Sequence, residues 1–362
     1  MKPRGIGGSP PGQVTILDIA ARAGVSVSTV SRVLNKTVPV ARSKREAVLG
    51  AVEVLGYRPN VVAQELARGR SLAVGVLPQG IWNPFYSRLL KGVEQGLRGT
   101  AFHPMYASGE QPVEEAQAFE MLLANRVEAI ILMGGSTPDD KLVALSQRVP
   151  ILAIGRNVAG LEHRCVRVEN AEGGYNATRH LLDLGHRRVV HITGLSWHAD
   201  SVARRQGYER ALAEAGLPID PSLIVEGNWE EQSGLTAVER LLAAKTRFTA
   251  IFCGNDQIAF GAALGLFRAG LQVGRDVSIV GFDDQPSAAF SCPPLTTMRQ
   301  PAVEMGMAAA RAIVEELRGR GFVQPVFRTE LVLRASTGPL LAAAERRVAR
   351  RSLKKPRRSS SQ

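Results

Sequence analysis

Between residues 14 and 70 the apolar positions recur at helical spacing. Ile16, Leu17, Ile19, Ala20 and Ala23 fall on one face, and Gly24 can end that segment. The next stretch, GVSVSTVSRVLN (24–35), fits two periods. Read as a strand, Val25, Val27 and Thr29 share a face, but Val30 breaks the alternation. Read as a helix capped by Ser26, Val30, Val33 and Leu34 meet at i, i+3 and i+4. Val27, Ser28, Ser31 and Arg32 then lie around the other side, and the helix is the better account of the second half. Ser43 with Glu46 predicts a capping box for a third helix, with Val48, Ala51, Val52 and Leu55 as its apolar stripe. Gly56 stops it, Arg58-Pro59 opposes continuation, and Asn60 can cap a short segment closed by Gly69.

From Ser71 short apolar runs alternate with longer amphipathic ones. SLAVGVLP precedes PFYSRLLKGVEQGL, VEAIILM precedes PDDKLVALSQ, and RRVVHITG precedes ARRQGYERALAEAG. The alternation continues through FTAIFCG, NDQIAFGAALGLFRAG and DVSIVGFDD. Such spacing predicts βαβ units and parallel sheets covered by helices. Some 270 residues of it exceed what one sheet usually holds, so two α/β lobes with a cleft are expected.

Composition changes this picture little, and charge changes it more. The 362 residues are 45% hydrophobic and 22% charged, an ordinary globular balance, and no apolar run reaches a membrane span. The formal net charge of +12 sits at the ends: residues 14–70 carry +5 and residues 342–362 carry +7, while residues 71–341 carry about −2. A polyanion partner for a terminal module is implied. Three scattered cysteines, Cys165, Cys253 and Cys292, argue against a disulfide framework and suit a reducing cytoplasm. The Gly/Pro-rich start has no apolar core of a secretory signal. His180, His186 and His191 lack metal-ligand spacing, and G-x-S-x-G, P-loop, HExxH and GxGxxG motifs are absent, so neither metal, cofactor nor catalytic residue is expected.

Two helices joined by a short glycine turn make a helix-turn-helix whose second helix enters the DNA major groove. Short hydroxyls allow close approach to phosphates, Val27 can meet a thymine methyl, and Arg32 has the forked donors for guanine. The competing reading is a surface helix of an ordinary bundle.

VTILDIAARAGVSVSTVSRVLN, LGYRPN and VAQELARGRS resemble the headpiece of the lactose/galactose repressor family, and the resemblance continues through NPFYSRLLKGVEQ, ATRHLLDLGHRRV, RRQGYERAL, CGNDQIAFGA, VSIVGFDD and PPLTTMRQP. It covers about residues 14–338, with the galactose-repressor branch most similar. The resemblance implies an all-α helix-turn-helix headpiece and an α/β periplasmic-binding-protein-like core of two doubly wound parallel-sheet lobes. It implies a tail over 1–13, the DNA-binding domain over 14–59, a hinge helix over 60–70, a core over 71–340 and a basic tail over 341–362. Lobe 1 would take about 71–170 and 301–327, and lobe 2 about 171–298 and 328–340. Groove-reading positions fall on Val27, Ser28 and Arg32, with Thr29, Ser31 and Asn35 touching phosphate or supporting the helix. The hinge matches Asn60 to Arg68, where Leu66 would wedge into the minor groove beside the small Ala63 and Ala67. Where the family often has Val-Ser-x-x-Thr-Arg, this chain has Val40 to Arg45, so phosphate contact is expected from Arg42, Lys44 or Arg45.

In the cleft the family's effector positions fall on Arg204, Asn255, Asp283 and Trp229. Asn83, Phe85 and Tyr86 lie at the first strand-to-helix turn, and His198 and Gln300 are further candidates. Asn255 and Asp283 could instead be helix caps. Gly155-Arg156-Asn157 replaces an Asp-Arg pair; keeping a cation without its carboxylate leaves room for a sugar acid, phosphosugar or glycoside as well as a sugar. The function implied is a cytoplasmic, homodimeric repressor of carbohydrate-utilisation genes, released from palindromic operator DNA by a sugar-like effector. The tail lacks sustained leucine heptads, which favours a dimer over a tetramer. A corepressor-dependent repressor or an activator keeps the fold, and a sugar-binding receptor is the rival from another class.

Overall fold

The computed structural model describes residues 14–35, 38–57, 70–321 and 326–340. The chain forms two compact units, Met1–Leu72 and Ala73–Gln362.

In the first unit α1 (Ile16–Ala23), α2 (Val27–Asn35) and α3 (Arg42–Leu55) enclose a small core of Ile19, Ala20, Val30, Val33, Val48 and Ala51. Thr15 caps α1: its hydroxyl accepts from the Asp18 amide at 3.4 Å, and the Asp18 carboxylate accepts from the Thr15 amide at 2.8 Å. The Thr15 hydroxyl, donating to the Asp18 carboxylate at 2.7 Å, and then the Thr15 amide hold that carboxyl below the usual carboxylate range. Gly24, at φ +65°, makes the left-handed turn that leaves only three residues between α1 and α2. Leu17 departs from the expected stripe and is exposed. It sits one residue, about 100°, off the Ile16–Ala20–Ala23 row, and three short helices enclose only a narrow stripe. The expected capping box at Ser43 also fails. Ala41 precedes α3 without a side-chain cap, Ser43 lies inside the helix, and Glu46 reaches back to Arg42 at 2.8 Å as an i, i+4 pair.

The second unit holds two six-stranded sheets. The first has the order β11-β5-β4-β3-β1-β2, from β1 (Ala73–Pro78), β2 (His103–Tyr106), β3 (Ala129–Met133), β4 (Ile151–Ile154), β5 (Cys165–Val168) and β11 (Val326–Phe327), all parallel. The second has the order β12-β10-β9-β8-β6-β7, from β6 (Val189–Ile192), β7 (Ile224–Val225), β8 (Ala250–Cys253), β9 (Ser278–Asp283), β10 (Thr296–Arg299) and β12 (Glu330–Val332); only β12 runs antiparallel. Central strands such as AIILM over Ala129–Met133 are buried throughout, as strands covered by helices on both faces must be. Each sheet separates two apolar clusters. The chain passes between the sheets after β5, after β10 and after β11.

Three helix pairs pack by glycine contact. In α4 (Pro84–Leu97) against α11 (Ala302–Leu317), a Cβ on Gly92 would lie 2.1 Å from the Val303 carbonyl oxygen, and one on Gly306 2.1 Å from that of Leu89. Gly174 and Gly207 do the same between α7 (Asn170–Asp183) and α8 (Ala199–Glu214), and Gly234 and Gly261 between α9 (Glu231–Ala243) and α10 (Asp256–Arg268). The backbones therefore touch, which fixes the helix carrying Arg204. Two further helices, α5 (Pro112–Ala124) and α6 (Asp139–Ser146), complete the first lobe. Among the described residues, no helix is long and apolar enough to cross a membrane.

Candidate functional site

The exposed side of α2 is the first candidate. Ser26 accepts from the Thr29 amide at 3.3 Å and starts the helix. Val30 and Val33 are buried, while Val27, Ser28 and Arg32 are exposed and Thr29, Ser31 and Asn35 are half-buried. The hydroxyls of Ser28 and Thr29 each lie 2.9 Å from that of Ser26, and Asn35 donates to Ser31 at 3.2 Å. Ser26 thus holds Ser28 and Thr29, and Asn35 holds Ser31, whereas Arg32 projects with no hydrogen bond or ion pair among the described residues. Arg42, Lys44 and Arg45 are exposed on α3, though Arg42 is already paired with Glu46. Asn60, Ala63 and Leu66 lie outside the described residues.

The second candidate is a cavity of about 760 Å³ between the two sheets of the core. Its walls come from the C-terminal ends of strands in both sheets: the turns after β1, β2, β3, β6, β7, β8 and β9. In parallel α/β sheets these ends point at ligands, because the helices that follow present free backbone amides there. Asn83, His198 and Asn255 occupy the N-cap positions of α4, α8 and α10. Asn83 accepts from the Phe85 amide at 2.9 Å, and His198 Nδ1 accepts from the Asp200 amide at 3.3 Å. Asn255 accepts from the Ile258 amide at 2.9 Å and donates to the Trp229 carbonyl at 3.0 Å, so it caps and lines the cavity together.

Arg204 is the hub. It is 3% exposed, and its guanidinium lies 3.8 Å over the Phe282 ring and 5.5 Å from that of Trp229. It donates to Asn170 at 2.8 Å and to the Gly254 carbonyl at 2.6 Å, and it stands 3.8 Å from Asp283 and 4.0 Å from Asp200. Burial pushes the Asp283 carboxyl up to about 6, against the opposing pull of Arg204 and of Gln300, which donates to it at 2.7 Å. Asp283 does not cap a helix; it ends β9 at φ +106°. Deeper still, Asp256 accepts from the Gln285 amide at 2.7 Å and from the Thr297 hydroxyl, and burial raises its carboxyl well above the usual range. From the first sheet, Phe85 and Tyr86 face these groups; burial first, then the charges of Asp200 and Asp283, push the Tyr86 phenol up.

Of the expected effector residues, eight line this cavity and Gln300 does not. Fully buried, it braces Asp283 from behind, because β10 places it beside the end of β9. Arg156 also departs from expectation. It is paired with Asp139, donates to the Gly135 carbonyl at 3.0 Å, and lines a separate cavity of about 270 Å³. The large cavity instead carries four carboxyl groups, Glu110, Asp200, Glu230 and Asp283, around one guanidinium, Arg204. Burial lowers the His198 pKa from 6.5, which disfavours its cationic form.

Sequence reasoning passed over Trp82 and Trp197. Each directly precedes an N-cap residue, Asn83 or His198, and that adjacency was the available signal. With Trp229 they place all three tryptophans of the chain on this cavity. Glu115 was missed as well. It is buried and accepts from the amides and hydroxyls of Ser136 and Thr137 at 2.6–3.2 Å, which fixes the turn carrying Ser136 at the cavity.

Comparison with known proteins gives a family for each of the two units. Residues 15–60 match the family of bacterial regulatory proteins, lacI family, and residues 178–337 match the periplasmic binding protein-like domain. The HTH-type transcriptional regulator GalR of Salmonella typhimurium (strain LT2) is 37% identical over 298 residues, 82% of this chain and 87% of that protein. The regulator DegA of Bacillus subtilis (strain 168) is 35% identical over 335 residues, 91% of this chain and 99% of that protein. Among solved structures, the lac repressor dimer bound to operator and the anti-inducer ONPF is similar with TM-score 0.80 and 28% identity, covering 90% of this chain and 99% of that one. The transcriptional regulator CelR–cellobiose complex has TM-score 0.68 and 32% identity, covering 90% and 100%.

Proposed function

Because the chain belongs to the lacI family of bacterial regulatory proteins, we propose that it is a homodimeric repressor released from operator DNA by a neutral carbohydrate. The observation that carries the effector part is the cavity itself, with Arg204, Asp283 and Asn255 beside the face of Trp229. Planar forked donors and a carboxylate suit vicinal hydroxyls, and an indole face suits the apolar side of a pyranose ring. The surplus of carboxylates disfavours sugar acids and phosphosugars, which leaves uncharged sugars and glycosides. Their hydroxyls can donate to Asp283 and Asp200 and accept from Arg204.

For DNA, Val27, Ser28 and Arg32 of α2 are proposed to read base edges, with Thr29, Ser31, Asn35, Lys44 and Arg45 positioning the helix on phosphates. A two-fold dimer would read a near-palindromic operator in this way. The hinge over residues 60–70, with Leu66 as wedge, is proposed to pass the state of the cavity to the DNA-binding unit. The domain boundaries given by the sequence are retained as part of this proposal. The protein acts in the cytoplasm and by binding alone, with no catalytic step; relatives are named as transcriptional regulators.

A gel shift on DNA upstream of the chain's own gene tests the reading. The expected result is a specific complex lost on adding a neutral sugar or glycoside. A complex indifferent to carbohydrates, with Arg204→Ala also without effect, would remove the effector part.

A further inference from the structure

Trp82 and Trp197 are 50% and 54% exposed on opposite lobes of one cavity. Half-exposed tryptophan is costly surface, and two such side chains facing one cavity mark a place where something apolar is covered. Both are held in position. A Cβ on Gly80 would lie 2.9 Å from Trp82 Nε1, so that indole lies against bare backbone, and its N–H donates to Glu110. Trp197 packs on His198 with centroids 5.8 Å apart, and His198 meets Trp229 edge-on at 5.3 Å. Trp229 in turn is pressed onto Gly194, where a Cβ would lie 2.0 Å from Cζ2. An aromatic row therefore runs from the buried Arg204 end to the open end, with one indole at each extreme.

The volume agrees with more than one ring. A hexose has about twelve non-hydrogen atoms, and even at the ~30 Å³ that a water molecule takes in the liquid they fill roughly 360 Å³. The cavity measures about 760 Å³.

We infer that this cavity takes a neutral ligand of two rings, a disaccharide or aryl glycoside. The first ring sits at Arg204, Asp283 and Trp229, and the second between Trp82 and Trp197. The inference rests on the carbohydrate reading above and deepens it. The second ring is held mainly by ring-face contact, so its stereochemistry matters less than that of the first. Glu110, which accepts from the Trp82 indole at this end, disfavours an anionic second group.

The test is calorimetric titration of the full-length protein. Cellobiose, maltose, lactose, melibiose and p-nitrophenyl glycosides are compared with glucose and galactose, with gluconate and glucose 6-phosphate as the anionic arm. At least one two-ring compound should bind about tenfold or more tighter than its own monosaccharide, about 1.4 kcal/mol. Trp82→Ala and Trp197→Ala should each remove most of that gap while changing monosaccharide affinity by less than about twofold, on the scale of one lost aromatic contact. Trp82→Phe and Trp197→Phe should keep part of it and serve as folded controls. Monosaccharides binding as tightly as glycosides, with neutral tryptophan variants, would overturn the two-ring inference and leave the carbohydrate reading standing. Preference for the anionic arm would overturn it too, and no binding by any of these compounds would overturn both.

Discussion

Arg32 is the one long side chain on the exposed face of a helix otherwise made of valines, serines, threonine, leucine and asparagine. With no partner among the described residues, its forked donors are left for a base edge, whereas the neighbouring hydroxyls are already hydrogen-bonded. Arg32→Ala should relax base preference at one operator position by about 1–3 kcal/mol, while Lys44→Ala should weaken specific and random DNA alike and lower the salt slope by about one. Equal losses on operator and random DNA for Arg32→Ala, read by fluorescence anisotropy, would make it a phosphate contact instead. Asp283 sets a second expectation at this scale. Its carboxyl is held at about 6 by burial, with Arg204, Gln300, Asp200 and Asp256 around it and His198, whose pKa burial lowers, nearby. If hydroxyls donate to the ionised form, effector affinity is nearly flat above pH 7 and falls about tenfold between pH 7 and pH 5. Asp283→Asn should be weak and flat over that range; a flat wild-type profile would take the carboxylate out of the contact. Folding runs the other way. With a native pKa above the unfolded one, this group's contribution to stability is lost as pH rises from the ordinary carboxylate range through about 6.

At the scale of elements, much was legible. The period of Val30, Val33 and Leu34 decided the helix over the strand, because burial on a helix follows i, i+3 and i+4, and the two valines are buried as that spacing requires. PFYSRLLKGVEQGL matches α4 to the residue, since Asn83 and Pro84 mark its start chemically. Less visible were β2, whose end residues are exposed and middle ones half-buried at a sheet edge, and the short β11 and β12, which lack the length for a pattern. Cavity residues that do their work across the chain were also hidden. Gln300 reads as a ligand candidate by sequence, yet it supports Asp283 because two strands bring them together. Arg88 is such a case and was not foreseen. From α4 in the first lobe it donates to the Asp284 carbonyl at 2.8 Å and to that of Asp283 at 3.4 Å, in the second lobe. Both aspartates have positive φ, 106° and 52°, a conformation side chains rarely adopt without support. Arg88→Ala removes a charged hydrogen bond worth about 1.5–3 kcal/mol. It should weaken effector binding at least severalfold and leave operator affinity without effector unchanged. Unaltered effector affinity would make this link a passive contact.

For the whole molecule, the uneven charge and the two compact units fit a division of labour. A basic terminal unit meets a polyanion, and the nearly neutral stretch 71–341 holds the small ligand. A repressor of this kind needs its two sites to exchange free energy, typically 1–3 kcal/mol, and that exchange is reciprocal. Whatever factor the effector takes from operator affinity, operator must take from effector affinity. The chain offers a direct reporter, because all three tryptophans line the cavity. The decisive measurement is therefore a tryptophan-fluorescence titration of the effector on free protein and on protein saturated with operator duplex. Effector affinity should be about 5–150-fold weaker on the operator complex, matching the loss of operator affinity caused by effector. Equal affinities would contradict coupling between the cavity and DNA, and tighter binding on the operator complex would make the ligand a corepressor.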